Sequence, residues 1–586
     1  MPGKFFYKVK VFSLQTSPYT LQLAHINDCH SNFDPVSLTL KVSGAGEPIK
    51  VAAHSGGYGR LATVLANARA EAEAANTPFL FLHGGDTFQG TLYFNEFRGK
   101  ANARLLNLLR PDAIVLGNHE IDSGNAPLHR FIDAIEFPML AGNMDLSAED
   151  PTKGFALANL DNLLHYDKQR GCAQVLKKPL GDKQMAIVGI TLDQMQVIAR
   201  PDPDTSFLDA IETCRATVAA LKADGIHHIL VLSHLGLDGD RKLAAAVDGI
   251  SLIVGGHSHT LMGDFTNLGL PCVPWGERVN NTPILHAGKY AETIGLARIE
   301  FDKAGQVTHL GGGNYLMLDE HPLIDNLDAE LRAEALNQLK AHPGILWCEA
   351  EPRMQAIIDK EFRPAITALD HQVLAMVPRE LIHSRLPSKS LPHGSEVAPW
   401  VSRAMYEETR ILDGAVQFAL HNAGGVRQSM SQGKITLADV VGRLLPFELP
   451  LVKYAIEGHY LIEALESAIN SATNNSVIGT GAGSFPYTFG LKYHYDGRRA
   501  QGERILSLTL CQGGLWVPVE AGKVYVGVST AYTASGKEGY QALSLCHWQE
   551  PVPNLTLPGA FIRFIERHGG FTEEMLPQLS YISHLG

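Results

Sequence analysis

Six short apolar runs recur in the first half of the chain: "YTLQLAHI" (19–26), "PFLFL" (78–82), "AIVL" (113–116), "MAIVGI" (185–190), "HILVL" (228–232) and "SLIV" (251–254). Runs of this length suit buried strands. Helical patterns lie between several of them. In "GRLATVLANARAEAEAA", Leu61, Val64, Leu65 and Ala68 follow the i, i+3, i+4, i+7 spacing of one helix face. Alternating strands and amphipathic helices imply a layered α/β architecture, with helices packed on a central sheet.

The chain has 586 residues, more than one core serves, so two or three domains are expected. From 325 to 370 the sequence becomes charged and helical ("DNLDAELRAEALNQLKAH", "EAEPRMQAIIDKEF"). This reads as a helical linker (326–370) between a first domain (1–325) and a second (371–586); two surface helices of one large domain are the plainer alternative. Beyond it, "GLKYHYD" and "KVYVGVST" are strand-like, so the second domain is also expected to be α/β.

A formal net charge of -12 argues against a binder of nucleic-acid polymers or membrane surfaces, which is usually basic. It does not exclude an anionic small substrate, because a bound cation reverses the field locally. The seven cysteines are scattered, odd in number and without a CxxC pair, which fits a reducing compartment. Lys8 and Lys10 interrupt the apolar stretches of the N-terminal segment, so no secretory leader is read there. A cytoplasmic location is expected on that basis, or a periplasmic or extracellular one if a leader precedes this sequence. No run approaches the roughly 20 apolar residues of a membrane span.

The ends of the apolar runs carry the chemistry. Asp28 and His30 follow the first, Asp86 the second, Asn118 and His119 the third, His234 the fifth, and His257 and His259 the sixth. In open α/β sheets ligands bind beyond the carboxyl ends of strands, so these groups converge if the runs share a sheet. Gly84, Gly85, Gly117, Gly255 and Gly256 allow sharp turns there. Carboxylate, imidazole and amide are donors for divalent transition metals. His83, His227 and His228 read as structural histidines. Asp86 or Asn118 alone would be a turn residue; five recurrences at run ends are not.

The ordered segments "HINDCHSNF", "GGDTFQGT", "LGNHEID", "LSHLG" and "GGHSH" resemble the calcineurin-like metallophosphoesterase domain of the 5′-nucleotidase family, over about residues 20–305. The resemblance implies two divalent metal ions (Mn, Zn or Co). Asp28, His30 and His259 would hold one, Asn118, His234 and His257 the other, with Asp86 bridging. Some relatives lack a histidine at the position of His259. The implied reaction is phosphate-ester hydrolysis by a hydroxide activated between the two cations. His119 would stabilise the transition state, oriented and kept protonated by Asp122. Glu120, between them, is expected to be a solvated carboxylate.

The resemblance resumes in the C-terminal half. "HNAGGVR" (421–427) is similar to the family's substrate loop, which makes Asn422, Gly424, Gly425 and Arg427 substrate-binding candidates. Arg427 offers a planar fork suited to phosphate or carboxylate. Phe447 in "LLPFELPLV" and Tyr532 in "STAYTASGKEGYQ" correspond to base-stacking aromatics, and Glu538 takes the place of an Asp. Ser535 and Lys537 depart from the pattern. Phe485 and Pro486 alone would read as ordinary packing. In "LPHGSEVAPWVS" (391–402), His393 falls near the position of a phosphate-contacting Arg, and Pro399 enters an early helical turn. The implied substrate is a nucleoside 5′-monophosphate. The alternatives are a phosphodiesterase or pyrophosphatase acting on cyclic nucleotides, UDP-sugars or dinucleotides, or a non-catalytic nucleotide-binding protein.

Overall fold

The structure, a computed structural model, describes residues 19–44, 48–319, 329–447, 449–477, 479, 481–571 and 575–585. The N-terminal segment carrying Lys8 and Lys10, and the expected boundary at 325, lie outside the described residues. Two compact units are formed: residues 1–88 with 99–358, and residues 89–98 with 359–586. The helix Ala329–Ala341 and the strand Ile345–Trp347 belong to the first unit, where that strand pairs with Val307–Leu318. The helix Arg363–His371 belongs to the second.

The apolar runs of the first unit all form strands, but on two sheets rather than the single sheet expected. Thr20–Ile26, Phe79–His83 and Ala113–Val115 are parallel neighbours in a ten-stranded sheet. Lys183–Thr191, His228–His234, Leu252–Val254 and Thr282–Leu285 are parallel neighbours in a six-stranded sheet. The two sheets bury one face against each other. Leu21, Leu23, Leu80, Leu82 and Val115 share a core with Ile187, Leu230, Leu232, Leu252 and Val254. Alternate residues of the second sheet, Val188, Ile229, Val231 and Ile253, point the other way. They pack under the helices Ala210–Ala223 and Leu237–Ala246 through Cys214, Val218, Leu221, Leu243 and Ala244. The helix Tyr58–Ala74 buries Leu61, Val64 and Leu65 of the stripe that its spacing foretold, and Ala68 is half-buried.

Carboxyl ends of parallel neighbours emerge on the same edge, so Asp28, Asp86 and Asn118 leave one sheet together, and His234 and His257 the other. One buried side chain ties these loops. Glu120 is fully buried, contrary to the solvated carboxylate expected of it. Its Oε1 accepts the backbone N–H groups of Thr87 (2.7 Å) and Phe88 (3.0 Å). Its Oε2 accepts those of Asp86 (2.9 Å) and Gly117 (2.8 Å). Gly117 is required where the loops meet, because a Cβ there would lie 2.2 Å from Asp86 Oδ1.

In the second unit, Phe418–Asn422 and Val524–Thr530 are parallel neighbours within a five-stranded sheet. Their carboxyl ends therefore release the loops of Asn422 and Glu538 side by side. The helix Ala398–Leu412 accepts Pro399 in its first turn, where the missing N–H would have no helical partner. Ser395 Oγ caps that turn by accepting from Val397 and Ala398 N–H. His393, near the position of a phosphate-contacting Arg in the family, has its Nδ1 bonded to the Leu579 carbonyl at 2.9 Å. Phe485 is fully buried, as ordinary packing requires.

Glu120→Gln substitutes an amide donor for an oxygen that accepts two N–H groups. Leaving buried donors unpaired costs roughly 1 to 3 kcal/mol each, so the variant is expected to lose about 2 to 6 kcal/mol in denaturant unfolding. An unchanged midpoint would show that the two bonds lost contribute nothing.

Candidate active site

Five loops of the first unit bring together all seven proposed ligands. Six of them, with His119, fall into groups whose ligating atoms lie within 4.8 Å of one another: Asp28, His30 and His259; Asp86, His234 and His257; and His30, Asp86 and His119. His30 Nε2 and His259 Nε2 are 2.9 Å apart, and His259 Nε2 is 3.6 Å from Asp28 Oδ1. The seventh, Asn118, joins the second group through its Oδ1, 3.0 Å from His257 Nδ1. His234 Nε2 is 3.2 Å from Asp86 Oδ2 without hydrogen-bond alignment. His234 Nδ1 is committed to the Gly84 carbonyl at 2.7 Å, which turns Nε2 towards Asp86. Converging lone-pair atoms in a buried setting are what a divalent cation occupies, so the donor set fits the group.

The backbone carries a second sign of specialisation. Asp28, His30, Asp86, His257 and His259 all have φ between 49° and 73°, the left-handed region that side chains with a Cβ seldom enter. Each such residue costs on the order of 1 to 2 kcal/mol, and such strain clusters at functional sites. It is held by neighbours. Asp28 accepts His257 N–H at both carboxylate oxygens (3.1 and 2.9 Å) and the Asn27 side chain at Oδ2 (2.7 Å).

Environment sorts the histidines. Burial pushes His257 down to about 3 and His259 to about 4, and holds His30 well below the usual imidazole range. Their lone pairs are free for ligation. His119 goes the other way. Burial opposes its charge, but Asp86 and then Asp122 outweigh burial and lift it to about 10. His119 Nδ1 is 2.5 Å from Asp122 Oδ2, so the Asp122 carboxylate orients the ring. The structural histidines behave as expected. His228 is bonded to the Asp302 carbonyl at 2.9 Å, His83 Nδ1 accepts Gly85 N–H, and His227 lies on the surface.

The second unit gathers its own cluster. Asn422 Nδ2 donates to Glu538 Oε2 at 3.1 Å and Asn422 Oδ1 accepts from Thr533 at 3.2 Å. Burial pushes the Glu538 carboxyl up, while Asn422, the Tyr532 hydroxyl, Arg385 and Arg427 act against it. Glu538 is also left-handed, with φ of 50°. Arg427 donates to the Gly424 carbonyl (3.3 Å) and its guanidinium lies over the Phe447 ring, 5.5 Å from its centre. Gly425 packs against the His421 ring, 2.3 Å from where a Cβ would stand. Sequence reasoning missed Arg385 and Thr533, and in the first unit Asn27.

Comparison with known proteins agrees with both halves. The calcineurin-like phosphoesterase model matches residues 21–261, and the 5′-nucleotidase C-terminal domain model matches residues 385–545, opening on Arg385. The chain is 30% identical to a probable 5′-nucleotidase of Treponema pallidum, over 94% of this chain and 93% of that protein. It is 28% identical to the NAD 5′-nucleotidase of Haemophilus influenzae, over 94% of this chain and 91% of that one. A crystal structure of a 5′-nucleotidase precursor from Thermus thermophilus is similar in fold, with a TM-score of 0.70 and 28% identity over 96% of this chain and 99% of that one. Among the described residues no helix is long and apolar enough to cross a membrane. With metal-binding geometry in one unit and the family's C-terminal signature in the other, the chain belongs to the 5′-nucleotidase family of metal-dependent phosphoesterases.

Proposed function

We propose that the protein releases phosphate from nucleoside 5′-monophosphates, with Mn, Zn or Co as its metal. The observation that carries this reading is the sorting of histidines: burial holds His30, His257 and His259 low, Asp86 lifts His234, and beside them His119, outside the ligand set, is lifted by Asp86 and by its partner Asp122. Two divalent cations, one held by Asp28, His30 and His259 and the other by Asn118, His234 and His257, would neutralise a phosphate dianion and activate water near neutral pH. Asp86 would contribute to both. His119 offers its Nε2–H to the phosphoryl oxygen on which charge grows, and Asp122 keeps that proton in place. In the second unit Arg427 recognises an anionic group, Phe447 and Tyr532 take the base, and Asn422 with Glu538 accepts sugar or base hydrogen bonds; Gly424 and Gly425 keep the loop thin.

A second reading has its own support. A relative of nearly full-length coverage is called an NAD 5′-nucleotidase, which favours pyrophosphate cleavage of a dinucleotide as an added or alternative activity.

The test is phosphate release from a panel of 5′-, 3′- and cyclic nucleotides, UDP-glucose and NAD with each metal in turn. We expect 5′-monophosphates to be the best substrates, and His119→Ala to lower kcat by about 10²- to 10⁴-fold. Turnover confined to diesters would retain the metal centre and overturn the substrate. Nucleotide binding without turnover under every metal would favour a non-catalytic nucleotide-binding protein. Phe447→Ala is expected to weaken nucleotide selection by about 1 to 3 kcal/mol, seen as a raised KM. Hydrolysis of a small aryl phosphate should be unaffected. Stripping the metal with a chelator is expected to lower the thermal midpoint, and resupply to restore it, because a ligand at 100 times its Kd stabilises by about 2.7 kcal/mol.

A further inference from the structure

Behind the metal-binding loops lies a buried trio that plays no part in the chemistry above. Ser233, Asp240 and His286 are each fully buried. Ser233 immediately precedes His234 in the strand His228–His234; Asp240 lies in the first turn of the helix Leu237–Ala246; His286 follows the strand Thr282–Leu285. Asp240 joins them, taking the Ser233 hydroxyl on Oδ1 and His286 Nε2 on Oδ2, the latter at 2.7 Å.

Three connections lead from this trio to the ligands. Ser233 is covalently next to His234. Gly255 lies directly on the Asp240–His286 contact: a Cβ there would stand 2.1 Å from Asp240 Oδ2 and 2.4 Å from His286 Nε2. Two and four residues later come His257 and His259. On the other side, Ala287 N–H donates to Asn27 Oδ1 at 2.8 Å, and Asn27 Nδ2 holds Asp28 Oδ2 at 2.7 Å. The His286 carbonyl is in turn held by Asn314 at 2.6 Å. The trio thus reaches Asp28 and His259 of one ligand set, and His234 and His257 of the other.

We propose that Ser233, Asp240 and His286 form a buried positioning node that sets the spacing between the two metal-ligand sets. The inference rests on the seven-residue cluster being a metal centre. None of the three touches a reacting atom; each acts through the ligand or loop beside it. Outer partners of this kind hold ligands at productive angles, and losing one typically weakens metal binding by about 10- to 100-fold.

The full chain would be stripped of metal and titrated with Co²⁺, following bound metal per chain, affinity by chelator competition, and the visible cobalt spectrum. Wild type is expected to bind two equivalents; if it binds none, the metal-centre reading itself fails. Asp240→Asn, which keeps shape but replaces one acceptor oxygen with a donor, is expected to bind cobalt about 10- to 100-fold more weakly. The bands of the loaded protein should shift, a change that a purely structural defect would not produce. The double variant Asp240→Asn, His286→Asn should lose no more affinity than Asp240→Asn alone, since both disrupt one node. Ser233→Ala carries the same test through a smaller change should Asp240→Asn fail to fold. Wild-type metal content with unaltered affinity and spectrum in the variants would overturn the node.

Discussion

The Asp86 carboxylate is the constraint around which the first unit is arranged. It is 1% exposed and shared by two of the ligand groups. Its Oδ2 faces His234, His119 and His30 nitrogens at 3.2, 3.9 and 4.0 Å, and its Oδ1 accepts His119 backbone N–H at 3.0 Å. A buried carboxylate is costly unless positive charge surrounds it. Burial alone would raise its pKa, yet His234 and then His119 hold it well below the usual carboxylate range. A second buried carboxylate, Glu120, lies underneath and would repel it. The four N–H groups bound by Glu120 let both acids coexist, and one of those groups is Asp86's own. Charge at Asp86 thus dictates the histidines above it and the hydrogen-bonded staple below.

That arrangement explains why strain is tolerated in the loops. Five of the seven ligand candidates are left-handed, and their side chains turn inward because the backbone has turned past the conformation a strand would continue. Parallel strands are needed for this: only they eject successive loops on one edge, where backbone from several loops can brace each strained residue. The Asp28 bonds to His257 N–H are such a brace, and they cross from one sheet to the other.

The strands and their polar ends were legible because an apolar run followed by Asp, Asn or His violates the ordinary tendency of a buried strand to end in a plain turn. Assignment to one sheet was not legible. A strand buried on both faces reads as a continuous apolar run whether its neighbours belong to the same sheet or to one stacked against it. Glu120 was misread for a related reason: its partners are backbone amides of Asp86, Thr87, Phe88 and Gly117, which have no residue identity to detect. Arg385 was hidden by distance along the chain from Asn422. The partner of His393 was hidden in the same way: the Leu579 carbonyl lies 186 residues away.

The two units solve one problem by the same physical route. In the second, the parallel pair Phe418–Asn422 and Val524–Thr530 brings Asn422 to Glu538 as the first unit's strands bring Asp28 to Asp86. Glu538 is again left-handed and again partly buried, with Asn422, Tyr532 and two arginines opposing the penalty. A Glu tolerates that backbone less well than the shorter acid usual in this family, because Asp is among the residues enriched there. The longer side chain carries its carboxylate farther from the strained backbone, to a point where Asn422 can meet it at 3.1 Å. The same strain and burial that mark the ligand candidates therefore mark Glu538, and they do so without reference to any metal.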